Sequence, residues 1–448
     1  MYVHSDDSHH LTPEDRMHRR AALAAIALLG SLALTGCDGG DQPDPAAGPI
    51  ELTLWSWAPN MENALRLWNS GHPDVKVTVH KQAGGDDLIP KVITAERAGT
   101  GPDLVQAEYQ MIPTLVSHDV LADIAPFVGD AKGKFAENVW SQATLGSDAV
   151  YAIPQDIAPL ALFYRDDLFA HYGLRVPTTW AEFADTARDL KRKAPDRALT
   201  TFSSNNGGLF AGLAQQAGST WWTTSGDTWK VAIDDEASRK VAGFWGDMVA
   251  EGVIDNQPMY TPAWNKALDD GTQLAWVSGV WAPGTLTTAA PATKGKWKMA
   301  PLPQWTAGAG KTGSWGGSAT GVTAGAAKKG RAEAATKFVT WLNTDPTAIA
   351  ALVKEAGVYP AATAAQTGGA LTTPEFFPNQ PEYYRLAAAI AKGTAAAGWG
   401  PNVNVAYSAF KDTFGKAAQD KSSFLSALKA VQEASVGDMR KNGFKVEG

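Results

Sequence analysis

Only one of the 448 residues, Cys37, is a cysteine, and this limits how the chain can be held together. One thiol closes no internal disulfide and builds no CxxC redox or metal pair. Only four of the eight histidines, His72, His80, His118 and His171, follow it. They are scattered without ligand spacing, so neither a metal site nor a cofactor is expected. Stability must come from apolar burial. The roughly 400 residues after Cys37 exceed the size at which one core stops growing, so two domains are expected. The 39 basic and 46 acidic side chains leave a net charge of −7. Such an acidic balance argues against nucleic acid as a partner. Tryptophan, at 17, outnumbers both phenylalanine and tyrosine. Its large flat surface with a single donor suits cores and ligand clefts alike.

The amino end reads as an export signal. Arg19 and Arg20 precede an apolar run from Ala21 to Leu34 that ends in Leu34-Thr35-Gly36-Cys37. A basic region, a short apolar stretch and small residues at the cut are the pattern of a secretory signal. The run falls short of the about 20 residues a membrane span requires. Leu34-Thr35-Gly36-Cys37 resembles the bacterial lipobox, which implies cleavage before Cys37 and lipidation of its thiol. Met17 is a candidate start, and Arg19-Arg20 leaves open whether export is general or twin-arginine. Residues 37–49, rich in Gly, Pro and Asp, read as a tether between anchor and body.

Beyond the tether the periodicity alternates. Leu52, Leu54 and Ser56 alternate with Glu51, Thr53 and Trp55 as a strand, and Met61, Ala64, Leu65 and Trp68 mark one helix face. Val75, Val77 and Val79 give a second strand. A helix through Leu88, Val92 and Ala95 leads to a strand at Leu104-Val105. This is the grammar of an open α/β sheet. Further on, Thr179 to Glu182 has capping-box spacing ahead of Trp180, Phe183, Ala187 and Leu190. Helix faces also run through Ala335, Phe338, Val339 and Leu342, and through Phe424, Leu425, Leu428 and Val431. Residues 361–370 read as a loop or weak helix. No solenoid repeat is present.

Several stretches, taken in order, carry a family resemblance. They are Leu54-Trp55-Ser56-Trp57, His72-Pro73-Asp74-Val75-Lys76-Val77, Gly101-Pro102-Asp103-Leu104-Val105 and Tyr151-Ala152-Ile153-Pro154-Gln155-Asp156. Phe163-Tyr164-Arg165-Asp166-Asp167-Leu168-Phe169, Pro177-Thr178-Thr179-Trp180-Ala181-Glu182-Phe183, Gly279-Val280-Trp281, Pro301-Leu302-Pro303 and Gly316-Gly317 complete the series. From about Glu51 onward the chain resembles the family 1 extracellular solute-binding proteins, the family of maltose-binding protein. The resemblance implies a two-lobed, type II periplasmic-binding-protein-like α/β fold with ligand in the cleft between lobes. Lobe one would comprise residues 50–154 and 303–358, and lobe two residues 155–302 and 359–448. Crossings would fall near Ile153-Pro154, Ala300 to Pro303 and Val358 to Pro360. It also implies a monomeric lipoprotein on the outer face of the cell membrane. That protein would hand a carbohydrate, of two or more units, to the transmembrane subunits of an ABC permease.

Sugar recognition needs flat apolar faces and charged acceptors for hydroxyls. Trp57 and Asn60 follow the first strand, Asn60 standing either as a ligand contact or as the cap of the next helix. Gln106, Glu108 and Tyr109 follow Leu104-Val105; Glu108 reads as a ligand acceptor or a loop acid. Asp156 stands at the first crossing, against sugar hydroxyls or in a surface ion pair. Trp281 reads as a stacking platform or core residue, and Trp315 with Gly316 as a ligand contact or turn. Asn205 and Asn206, and Trp221, Trp222, Trp264 and Trp399, are further candidates, with turn or core roles as their alternatives. No catalytic residues are assigned. A secreted glycoside hydrolase using Glu108 and Asp156 is the competing function. The argument against it is that these acids should face each other across the cleft, with nothing evident to raise either pKa. The same fold carrying polyamine, metal or peptide is the third reading.

Overall fold

The computed structural model describes residues 48–447 except 83, 85–87, 368 and 370. The signal, Cys37 and all of the tether up to residue 47 lie outside the described residues. The chain divides into units at Met1–Gly48 and Pro49–Gly448, and the second carries the fold.

Among the described residues eleven strands form three sheets. The first is five-stranded, in the order β2-β1-β3-β10-β4. It comprises β1 (Ile50–Ser56), β2 (Val75–Lys81), β3 (Leu104–Glu108), β4 (Ala152–Asp156) and β10 (Ser318–Val322). β1 pairs in parallel with β2 and β3, whereas β10 inserts antiparallel between β3 and β4. In the second sheet β5 (Leu160–Arg165) lies between β8 (Ala275–Gly279) and β9 (Trp297–Pro301), antiparallel to both. A small third sheet holds β6 (Trp222–Ser225), β7 (Thr228–Val231) and β11 (Lys445–Glu447). The fold is α/β and two-lobed, with one lobe around each of the two larger sheets.

Local sequence explains most elements. β1 buries Leu52, Leu54 and Ser56 in alternation, and the helix Met61–Gly71 buries Met61, Ala64, Leu65 and Trp68. Thr179 and Glu182 close a reciprocal capping box on the helix Trp180–Lys193, whose buried face is Trp180, Phe183, Ala184, Ala187 and Leu190. The helix Ala332–Thr344 stops where Asp345 caps the next one through the N–H groups of Thr347 and Ala348. One expectation needs correction. Leu425 is 46% exposed, because the helix Phe424–Lys441 buries Phe424, Ala427, Leu428 and Val431 instead. Residues 361–367 are irregular apart from one short 3-10 turn at Thr363–Ala365.

The chain crosses between the sheets at three places that lie side by side. The Ile157 N–H donates to Tyr359 O (2.9 Å), the Trp315 N–H to Ala158 O (3.0 Å) and the Leu160 N–H to Gly313 O (2.8 Å). Two of the crossings differ from those the resemblance implied. Ile153 and Pro154 lie inside β4, so the first crossing follows Asp156. Gln304 still exchanges backbone bonds with Thr178 and Trp180, so the return to the first sheet comes at Trp315-Gly316-Gly317. Gly316 and Gly317 have φ of +87° and +88°, a conformation glycine adopts without the Cβ penalty.

Candidate functional site

The site grows from the carboxyl ends of β1, β3 and β4, where open α/β sheets place their ligands. β10 runs the opposite way, so its first residue, Ser318, reaches the same edge, opposite both Glu108 and Asp156. A row of hydrogen bonds ties the strands together there. Ser56 Oγ donates to Gln106 Oε1 (2.6 Å), and Gln106 Nε2 donates to Ser318 Oγ (2.9 Å). Ser318 donates to Asp156 Oδ1 through both Oγ and its backbone N–H, the latter at 3.0 Å. Every donor in this row points toward Asp156, so the bonds polarise one another in one direction. Asp156 Oδ1 is thereby fixed, while Oδ2 takes neither Ser318 bond.

Burial pushes the Asp156 carboxyl up to about 6, against the lowering pull of the Ser318 bonds. Two consequences of this shift are expected. With a native pKa above the unfolded value, the native state binds more protons between about pH 4 and 6, so stability falls as pH rises through that window. Melting measured from pH 4 to 7 should show this decline in the unliganded protein and a shallower one in Asp156→Asn. An ionised Asp156 is also the stronger acceptor, so affinity for a bound sugar should weaken as pH falls below 6, and this loss should vanish in the variant.

A cavity of about 880 Å³ opens over this row. Trp57, Gln106, Glu108, Asp156 and Ser318 line it from the first sheet, and Asn205, Asn206, Tyr260 and Trp281 from the second lobe, with Trp315, Gly316 and Gly317 at the crossing. Trp281 Nε1 donates to Trp315 O at 3.0 Å, and the two rings meet edge to face at 5.0 Å. Tyr260 packs on Trp264 and Trp315. Its φ is +64°, a strained value for a bulky residue and of the kind that clusters at functional sites. The residue as a whole is 47% exposed, yet crowding around its phenol and the nearby Glu108 charge push its pKa up, so its hydroxyl keeps its proton. Glu108 accepts from Gln110 Nε2.

Of the residues singled out in the sequence, the cavity gathers Trp57, Gln106, Glu108, Asp156, Asn205, Asn206, Trp281, Trp315 and Gly316. The others fall elsewhere. Asn60 has left-handed backbone and no capping bond; its Nδ2 donates to Glu355 O and it is not in the cavity lining. Tyr109 is buried, its hydroxyl without a hydrogen-bond partner among the described residues. With Gln142, Lys392, Trp399 and Tyr407 it lines a smaller cavity of about 120 Å³, which shares Gly316 with the larger one. Trp399 donates there to Gln142 Oε1. Trp221, Trp222 and Trp264 are core: Trp222 packs over Gly400, and Trp264 stands edge-on to Trp276. Tyr260 and Ser318 were missed; a loop tyrosine and a lone serine carry no spacing signal.

The picture of the two acids also changes. Glu108 and Asp156 stand on the same wall, on β3 and β4, with β10 between them. One of them does have a raised pKa. Among the described residues no group of His, Cys, Asp and Glu is arranged to hold a metal ion.

Two α/β lobes, three adjoining crossings and a ligand-sized cleft at the strand ends define a binding protein of the hinged type. The chain belongs to the bacterial extracellular solute-binding protein family, which it matches over residues 56–349. Among solved structures it resembles the galacto-N-biose/lacto-N-biose I-binding protein of an ABC transporter from Bifidobacterium longum. The two are 26% identical with a TM-score of 0.81, over 90% of this chain and 100% of that one. An ABC-transporter-associated binding protein from B. animalis subsp. lactis, solved with β-1,6-galactobiose, is 23% identical (TM-score 0.79; 90% and 100% covered). The cyclic α-maltosyl-1,6-maltose binding protein from Arthrobacter globiformis is 21% identical (TM-score 0.69; 88% and 100% covered).

Proposed function

We propose that this protein captures a di- or oligosaccharide outside the cell and delivers it to the membrane subunits of an ABC importer. The carrying observation is the joint lining of one cavity by four aromatic residues, Trp57, Tyr260, Trp281 and Trp315, and two carboxylates, Glu108 and Asp156. Rings supply platforms for the C–H faces of a sugar and carboxylates accept from its hydroxyls. A cavity of about 880 Å³ lies within the range of small-molecule sites. The relatives named above bind disaccharides and larger sugars, which supports the same class of cargo here.

The lobes in this reading are residues 50–156 with 318–362, and 160–314 with the remainder of the chain. Ligand contacting both walls favours the closed state, because only differential affinity shifts such an equilibrium. A thermal-shift screen of mono- and oligosaccharides should identify a stabilising sugar. With that sugar added, solution scattering should show a smaller radius of gyration, and tryptophan fluorescence should change in step. Tight binding with both signals unchanged would remove the hinge from the mechanism.

The protein acts as a monomer held to the outer membrane face by lipid on Cys37. Cys37→Ala should accumulate as unlipidated precursor, and intact mass of the wild type should show cleavage before Cys37 plus diacylglycerol. A wild-type mass free of lipid would end the anchor reading. One observation favours a second reading: Asp156, near 6, has the pKa of a general acid, with Glu108 two strands away. Turnover of any aryl glycoside by the purified protein would establish a hydrolase instead.

A further inference from the structure

The larger cavity is lined by acidic side chains and by no basic ones. Among its described lining residues the ionisable side chains other than Tyr260 are Glu108 and Asp156; none is Lys, Arg or His. Several of the polar donors on its walls are already engaged within the protein. Gln106 and Ser318 donate along the row toward Asp156. Asn206 Nδ2 donates to Asn205 Oδ1, Asn205 Nδ2 to Met259 O, and Trp281 Nε1 to Trp315 O. A ligand that meets these walls does best by bringing donors of its own. An ammonium brings three and accepts none. The four aromatic residues add a second, independent attraction, since a cation over a Trp or Tyr face is drawn to the ring quadrupole. Lys392 lines the smaller cavity, which meets the larger one at Gly316, and is absent from the larger cavity's lining.

We propose that the cleft selects its saccharide by charge: it holds a sugar carrying a protonated amine in the larger cavity, in preference to the neutral sugar of the same skeleton, and excludes uronates. This rests on the sugar-capture reading and narrows it.

The test is calorimetry at pH 6.5 on two matched sets. One set is lacto-N-biose, its de-N-acetylated amine and its galactose C6 carboxylate; the other is cellobiose, its analogue with one 2-amino-2-deoxyglucose at the non-reducing end, and cellobiouronic acid. Spermidine serves as an amine without a sugar. The amine should bind about tenfold tighter than its neutral partner and the uronate about tenfold weaker, a modest effect for one charge in a partly solvated site. Glu108→Gln should cut the amine advantage to about twofold while changing neutral-sugar affinity less. Asp156→Asn provides the same comparison should Glu108→Gln lose its cooperative melt. A uronate that binds as well as the neutral sugar, or an amine advantage that survives both substitutions, overturns charge selection and leaves sugar capture standing. Spermidine binding with no response to any saccharide, or no response to any probe, counts against the sugar reading and takes this proposal with it.

Discussion

Gly313→Ala is expected to destabilise the protein by about 3 kcal/mol, at the upper end for inserting one methyl into a packed site. A Cβ at this position falls on the carbonyl of Gly212, in the helix Gly207–Ala217. The reverse change is no easier, since a Cβ on Gly212 would lie 2.5 Å from Ser314 O and 2.9 Å from Leu160 Cδ1. Neither backbone can withdraw cheaply. The carbonyl of Gly313 holds the Leu160 N–H, and Thr312 Oγ1 donates to Leu160 O at 2.7 Å. The methyl therefore has to break the contact between helix and crossing, or distort the crossing itself. Chemical denaturation should read the loss directly. Gly243→Ala, in the helix Glu236–Ala250 with nothing within 4 Å of the new methyl, should instead stabilise by about 0.5–1 kcal/mol through helix propensity. A Gly313→Ala variant no less stable than wild type would show that the crossing relaxes freely.

Trp281→Ala should weaken binding of an identified sugar by about 1–3 kcal/mol, roughly 5- to 150-fold, the scale of one buried aromatic contact. The ring borders the cavity, stands edge-on to Trp276 and Trp315, and anchors the crossing through its bond to Trp315 O. Platform and anchor are separable. Trp281→Phe keeps an aromatic face but removes the Nε1 donor, so it should recover most of the affinity if stacking dominates. Calorimetry on variants that retain cooperative melts distinguishes the two roles. Wild-type affinity in Trp281→Ala would move the residue to the core.

The legible parts of this protein were those in which one strong local rule acts alone. The alternation of Leu52 and Leu54, the Met61–Trp68 face and the Thr179–Glu182 box depend on neighbours within one turn or one strand. Cavity-lining residues at strand ends were also legible, because Trp57, Glu108 and Asp156 inherit their place from the strands before them. What stayed hidden depends on distant partners. Trp264 and Trp281 are the same residue type, and only tertiary packing sends one to the core and the other to the cleft. Two crossings shifted from where the resemblance set them, because the chain leaves β4 after Asp156 and turns back at Gly316-Gly317, and neither position carries a periodicity signal. The acids were set on opposite walls because an antiparallel strand arriving 162 residues later to lie between them leaves no trace in local periodicity.

That late strand also sets the order of assembly. Among the described residues β4 joins the first sheet only through β10, and everything from Ile157 to Gly317 lies between the two in sequence. While the chain emerges, β4 has no neighbour to pair with, and a strand edge in that condition invites pairing with another chain. The pairing that rescues it must close a very long loop, whose entropy is lost before the contact rewards it. Collapse of the intervening lobe shortens that loop, so the second lobe acts as the splint on which the first is finished. Chains truncated after residue 317 should hold β1, β2 and β3 together yet leave β4 open to aggregation, and refolding of the full chain should show sheet one completing last.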